Sequence, residues 1–363
     1  VAVGSAALTA NTTASNNTAV GYQAGYANTT GASNTAVGEG SLANNTTADS
    51  NTGVGKSSLN ANTTGNNNTT AGKDSLASNT TGSFNTAFGS NALVSNTTAD
   101  DNTAVGYQAG TKVTTATGGV YLGRSSGQEN LTGNNNTFVG YAAGDKTVSA
   151  SNTFLGYASG WQVTSGAKNT FVGAYNGNQE SLDLRASSNN IVLSDGDGNP
   201  RVVVDSSGAV TMPLQPAFSA RPTDTQANII DGDTKIKFST QMFDTNDDFQ
   251  PSTGDGQGGD GSNLVATFTA PVTGKYQLNM SLRMENIDSA ATYYQIQLVT
   301  SNRNYRYIFD PDFGQDNAFF TPSISVLADM DASDTAYIFI TQSGGSAQTD
   351  IHNESAFNGY LVA

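Results

Sequence analysis

Apolar residues recur along the first half of this chain on a fixed step. One precedes a glycine at Val3, Val20, Val37, Val54, Ala71, Phe88, Val105, Leu122, Val139, Leu155 and Val172. The glycines from Gly4 to Gly140 are 17 residues apart, Gly156 follows after 16, and Gly173 after 17 again. Four residues before the glycine stands asparagine, at Asn17, Asn34, Asn51, Asn68, Asn85, Asn102, Asn136, Asn152 and Asn169. The nonapeptide NTAVGYQAG occurs twice, at 17–25 and 102–110, five periods apart. So short a period predicts stacked coils, each too small to bury a core alone.

Each coil predicts one short strand, such as Thr18-Ala19-Val20, followed by a second element and a polar turn. The second element carries Leu four residues after the glycine (Leu8, Leu42, Leu59, Leu76, Leu93) or Gly in that slot (Gly25, Gly110, Gly127, Gly144, Gly160, Gly177). Alternation puts Thr18 and Val20 on one face of the strand and Ala19 on the other. The expectation is that the aliphatic row before the glycines lines the core and that Ala104, opposite Val105, faces water. Coils stacked at about 4.8 Å would make a rod of roughly 50 Å, with ladders of Asn and Val along it.

The wording changes after Gly177. Residues 181–216 predict a β-rich neck, with strands at Ile191-Val192-Leu193 and Arg201–Asp205. Asp195-Gly-Asp197-Gly-Asn199 has the opening spacing of a calcium loop. Its twelfth position is Ser206 rather than Glu, and a hairpin turn is the better reading. Beyond Pro216 at least seven period-two runs, among them Gly274–Leu282, Tyr293–Val299 and Ala336–Ile340, predict a β-sandwich or jelly roll. The domains are therefore a repeat β-roll at 1–180, the neck at 181–216 and a globular all-β domain at 217–363.

Composition narrows the function. The 363 residues include no cysteine, so disulfides and thiolate metal sites are excluded. Stability must come from elsewhere, and oligomerisation is the obvious route. Net charge is −15, divided as −2 over 1–180, −2 over 181–216 and −11 over the remainder. An acidic surface argues against nucleic acid and anionic lipid as partners. No run approaches the ~18 apolar residues of a membrane span. The chain opens in register with its repeat and without methionine, from which more protein is expected upstream. The recurring Asn-x-Thr triplets (Asn11, Asn28, Asn45, Asn62, Asn79, Asn96) read as one turn repeated rather than as glycosylation sites.

Each coil offers little apolar area for the backbone entropy it must overcome, about 1.5 kcal/mol per residue, so chains sharing a core would be favoured. The words Asn34-Thr35-Ala36-Val37-Gly38 and Asn136-Thr137-Phe138-Val139-Gly140 resemble the head repeats of trimeric autotransporter adhesins. They are similar also to arrays in bacteriophage tail fibres. Phe218-Ser219-Ala220, the run Phe268-Thr-Ala-Pro271-Val-Thr-Gly274-Lys-Tyr276 and Phe357-Asn358-Gly359-Tyr360-Leu361 resemble the globular C1q and tumour-necrosis-factor superfamily. That superfamily forms compact trimers at the ends of elongated stalks. Both resemblances imply an all-β homotrimer: a β-roll or solenoid stalk of 17-residue repeats ending in a C1q-like jelly-roll head.

Candidate chemistry lies in the last segment. Tyr305, Arg306, Tyr307, Asp310, Asp312 and Phe313, in an aromatic-rich stretch that includes Phe309 and Phe319-Phe320, combine aromatic faces with groups that bond hydroxyls, as a sugar platform requires. Core strand plus loop is the competing reading. Asp244, Asp247 and Asp248 open an acidic loop running to 262 that reads as a linker, with a divalent-cation site as the alternative. No other cofactor is expected. The single histidine, His352, has no nucleophile elbow to serve, so no enzyme is expected. The function implied is receptor binding on a virion tail, with a host cell-surface glycan or protein as ligand and a virion or cell-surface anchor upstream. A bacterial trimeric surface adhesin or appendage subunit is the alternative, and a glycan-cleaving tailspike a third reading.

Overall fold

The computed structural model describes residues 1–228, 232–252 and 266–362. The described residues contain no helix, and none therefore crosses a membrane as one. The chain forms two compact units, Val1–Pro213 and Leu214–Ala363.

The first unit is a β-solenoid. Twelve short strands, Ala2–Val3, Thr18–Val20 and so on to Thr170–Val172 and Ile191–Ser194, stack as one parallel sheet. Equivalent residues face each other across the coils: Thr18 pairs with Thr35, Ala19 with Ala36, Val20 with Val37. Pro200–Val204 and Val210–Thr211 extend the sheet antiparallel, so the neck as far as Pro213 belongs to this unit.

The structure reverses the predicted inside of the coil. The middle residue of each strand is the buried one: Ala19, Ala87, Ala104, Tyr121, Phe138, Phe154 and Phe171 are all 0% exposed. The row before the glycines points outward, with Val105 42% and Leu155 46% exposed. Strand alternation was foreseen correctly; its polarity was not. In a three-residue strand the centre and the two flanks must point opposite ways. Here the coil closes on the centre.

Volume explains that choice. Where the strand centre is small (Ala36, Gly53, Thr70, Ala87), the interior is filled from the far side by Leu42, Leu59, Leu76 and Leu93, none more than 1% exposed. These leucines adopt left-handed backbone, with φ between 48° and 53°. Where the centre is Tyr121, Phe138, Phe154 or Phe171, the far-side residue is Gly127, Gly144, Gly160 or Gly177. A Cβ on Gly144 would lie 2.6 Å from the Phe138 ring. Phe138, Phe154 and Phe171 then stack at 5.2 and 4.8 Å, close to the strand spacing itself. The periodic glycine after each strand has another cause. At Gly21 φ is 135° and a Cβ would sit 2.6 Å from the carbonyl oxygen of Gly38, so successive coils touch backbone to backbone.

Two buried amide ladders complete the interior. In the first, each asparagine before a strand accepts from the next coil's peptide, as when the Asn51 N–H donates to Asn34 Oδ1 at 2.9 Å. The second is made of the Asn-x-Thr asparagines. Asn62 Nδ2 donates to Asn45 Oδ1 at 2.8 Å and to the Gly65 carbonyl at 2.9 Å, and Asn79 Nδ2 donates to Asn62 Oδ1 at 2.8 Å. Asn28, Asn45, Asn62, Asn79 and Asn96 are at most 2% exposed, so these triplets are turn chemistry and no glycan could reach them. The ladder breaks where Val113 replaces the next asparagine. Asn96 Oδ1 is left buried without a partner, and Asn130 Nδ2 donates instead to the Tyr121 hydroxyl at 2.9 Å. Burial pushes the Tyr121 phenol up to about 12, against the opposing pull of that bond. Asn62→Val strands an acceptor below and a donor above. It should destabilise the unit by roughly 2–4 kcal/mol, read as a lower midpoint in urea unfolding.

The calcium-like spacing at 195–199 is a hairpin turn between Ile191–Ser194 and Pro200–Val204. Asp195 accepts from the peptides of Asp197 and Asn199 and from the Asn199 amide. That amide first, and Arg201 with it, hold its carboxyl down at about 2.

The second unit is a jelly roll. One five-stranded antiparallel sheet runs Thr240–Asp244, Ala217–Arg221, Ala356–Leu361, Gly274–Ser281, Ser323–Met330. The other runs Phe249–Gln250, Thr267–Thr269, Thr335–Ser343, Tyr293–Thr300, Asn304–Phe309, with Gly232–Lys235 also paired to Thr335–Ser343. A smaller sheet joins Asn317–Phe320, Met284–Ile287 and Asp350–Ile351. The three sequence words meet in one core. Phe218 stacks on Phe268 at 4.6 Å and meets Phe357 edge-on at 5.0 Å, while the Tyr276 hydroxyl donates to the Val272 carbonyl at 2.8 Å.

Candidate receptor-binding surface

Asn304–Phe309 is the last strand of its sheet and pairs on one side with Tyr293–Thr300. Period-two alternation separates its side chains. Tyr305, Tyr307 and Phe309 turn one way. Phe309 stacks on buried Tyr294 at 5.2 Å and meets Phe320 at 4.6 Å. Tyr307 lies 6.5 Å and Phe313 6.2 Å from that same Phe320 ring. Tyr307 is 37% and Phe313 44% exposed, so the cluster is rooted in the core and open at its rim. Tyr305 packs partly buried against the core, with the Arg303 guanidinium 5.7 Å from its ring.

Of the six candidates, the structure brings Tyr307 and Phe313 together and keeps Arg306 away. Arg306 turns to the opposite face, where its Nε donates to Gln297 Oε1 at 3.3 Å. Asp310 accepts from the Asp312 peptide at 3.0 Å, ordering its own turn, while Asp312 is exposed at the rim.

A neighbouring set is brought together only by the fold. Phe319, 58% exposed, lies beneath the Arg283 guanidinium at 5.1 Å. Arg283 bridges Glu285 at 3.2 Å and also pairs with Glu354. His352 sits 3.7 Å from Glu285 and 3.9 Å from Glu354. Pairing of Met284 with both Phe320 and Ile351 assembles these residues from three distant segments, so no local spacing announces them.

At the acidic loop, Asp244 accepts from the peptides of Asp248 at 3.1 Å and Phe249 at 2.8 Å, which turns its carboxylate back on its own loop. Burial, and then the Asp244 charge, push the Asp248 carboxyl up. No group of three acidic or histidine side chains suited to a metal occurs among the described residues. The run 253–262 of this loop lies outside them.

The repeat unit is less uniform than its wording. Arg124 lies between Tyr107 and Tyr141, 5.8 and 5.7 Å from their rings, and Tyr141 stacks on Tyr157 at 5.5 Å. Trp161 Nε1 donates to Asp145 at 2.9 Å, and Lys146 lies 4.2 Å from the Trp161 ring.

Residues 217–362 match the family model of the C1q domain. Among solved structures, the globular domain of zebrafish complement 1qA protein is 17% identical over 41% of this chain and 98% of its own, with a TM-score of 0.30. Murine APRIL at pH 8.5 is 8% identical over 41% and 99%, with a TM-score of 0.29. PRD1 vertex protein P5 is 11% identical over 45% and 83%, again at 0.29. No curated protein matches the chain. The C-terminal unit of this all-β chain is a C1q domain, preceded by a β-solenoid of 17-residue coils.

Proposed function

We propose that this chain is a subunit of a homotrimeric fibre that binds a host cell-surface glycan, and that the fibre is a bacteriophage tail fibre exposed on the virion. The observation that carries the reading is the open aromatic cluster of Tyr307, Phe313 and Phe320 on a C1q domain preceded by a solenoid built for length. Exposed ring faces stack on the C–H faces of sugars, and the Asp312 carboxylate at the rim supplies an acceptor for hydroxyls. The trimer is supported by the resemblance of both units to trimeric proteins, and the phage assignment by the wording of the repeats. The role is binding rather than catalysis. Host envelope incubated with the protein should release no reducing sugar.

The test is binding of the full chain to host cells and to a glycan array. Tyr307→Ala and Phe313→Ala should each weaken binding about tenfold per site. Avidity across three copies would enlarge the loss on cells. Full binding by the double variant would place recognition elsewhere.

A further inference from the structure

The outward face of the solenoid sheet carries two columns that run its whole length. One is the row before the glycines, from Val3 to Val172 and on to Leu193. The other, two residues earlier, is threonine except for Val1, Val120 and Ile191. Not one charged residue stands in either column over twelve strands, although the turns beside them carry Glu39, Lys56, Lys73, Arg124 and Glu129. In the first column Val20, Val54, Phe88, Val105, Leu155, Val172 and Leu193 are 37–46% exposed. With the less exposed Val37, Ala71, Leu122 and Val139 between them, the column presents on the order of 600 Å² of apolar surface, at the upper end of the largest patch expected on a monomer.

We infer that this strip is an interface between copies of this chain, each laying its own strip against the others in register. This rests on the trimeric reading above and says which face of the repeat unit makes the contact. Three features select a second copy as the occupant. The rungs repeat at the strand spacing of about 4.8 Å, and a partner with any other rise would fall out of register within a few coils. The surface is self-complementary in charge, because it has none. With the threonine column added, its area reaches the roughly 800 Å² per partner of a stable association.

The chain lacks cysteine, so single cysteines give a clean test on the full-length protein. Val105→Cys lies on the strip. Thr98→Cys lies on an exposed turn outside it. Val105→Cys should react with maleimide on the order of a hundredfold more slowly than Thr98→Cys until the protein is unfolded. It should also link chains in pairs under mild oxidation. If sedimentation gives a trimer and Val105→Cys labels as fast as Thr98→Cys, the strip faces water and the interface inference falls while the trimer stands. A monomer by sedimentation overturns both.

Discussion

Ala104→Asp should unfold the repeat unit, and Val105→Asp should leave each chain's coils intact. The two positions are adjacent, and a polar-for-apolar reading of the sequence would rank them the other way. Ala104 is fully enclosed between Ala87 and Tyr121 of the adjoining strands. A carboxylate there must either stay charged in an apolar interior or take up a proton, at a cost of several kcal/mol. Marginal stability does not absorb such a cost. Val105 is 42% exposed, so within a single chain an aspartate keeps its water and changes stability by about 0.5 kcal/mol or less. Its effect should appear in assembly, as faster-sedimenting species lost from the profile. Circular dichroism with thermal unfolding of both variants decides the matter. Equal melting temperatures would mean that the strand centres are not the interior.

How much of this was legible before the fold was known follows the same division. The period, the coil stack and the role of the asparagine turns were open to reading, because each repeats a local requirement many times. Gly21 needs a backbone that L side chains rarely adopt, and Asn62 needs its neighbours 17 residues away. The three words of the C1q domain were legible because Phe218, Phe268 and Phe357 form one contact set. The inside of the coil was not. The more apolar row is the outer one, and apolarity alone assigns it to a core. The signal that would have settled it is the exchange between strand centre and far side, Ala with Leu or Phe with Gly. It becomes visible only when positions six residues apart are compared across coils, and two coils, Ala19 with Gly25 and Ala104 with Gly110, do not follow it. At the candidate surface, Tyr307 and Phe313 were grouped because they are close in sequence. Arg306 was included for the same reason, although strand alternation turns it away. Arg283 was missed, and His352 was weighed only for catalysis, because only strand pairing brings them beside Phe319.

That exchange gives the second large effect. Phe154→Ala empties a buried aromatic whose ring stacks at 5.2 Å on Phe138 and 4.8 Å on Phe171, and should cost about 3–5 kcal/mol. Gly160→Leu alone should also fail, because its side chain would enter the space the Phe154 ring occupies. Together the two substitutions rewrite an aromatic coil as an aliphatic one. The combination already exists in this chain as Ala36 with Leu42 and Ala87 with Leu93. The backbone is prepared for it. Gly160 has φ of 63°, and leucines at the equivalent slot hold φ near 50° in coils built that way. A leucine above a glycine is tolerated at the existing junction, where Leu93 meets Gly110. The double variant should therefore recover more than half of the stability lost by Phe154→Ala, a coupling of about 2–3 kcal/mol between residues in contact. Urea unfolding of the two single variants and the double measures it. Simple additivity would mean that the interior is not filled by exchange between the two sides of the coil, and that the alternation of Leu and Gly along the chain has another cause.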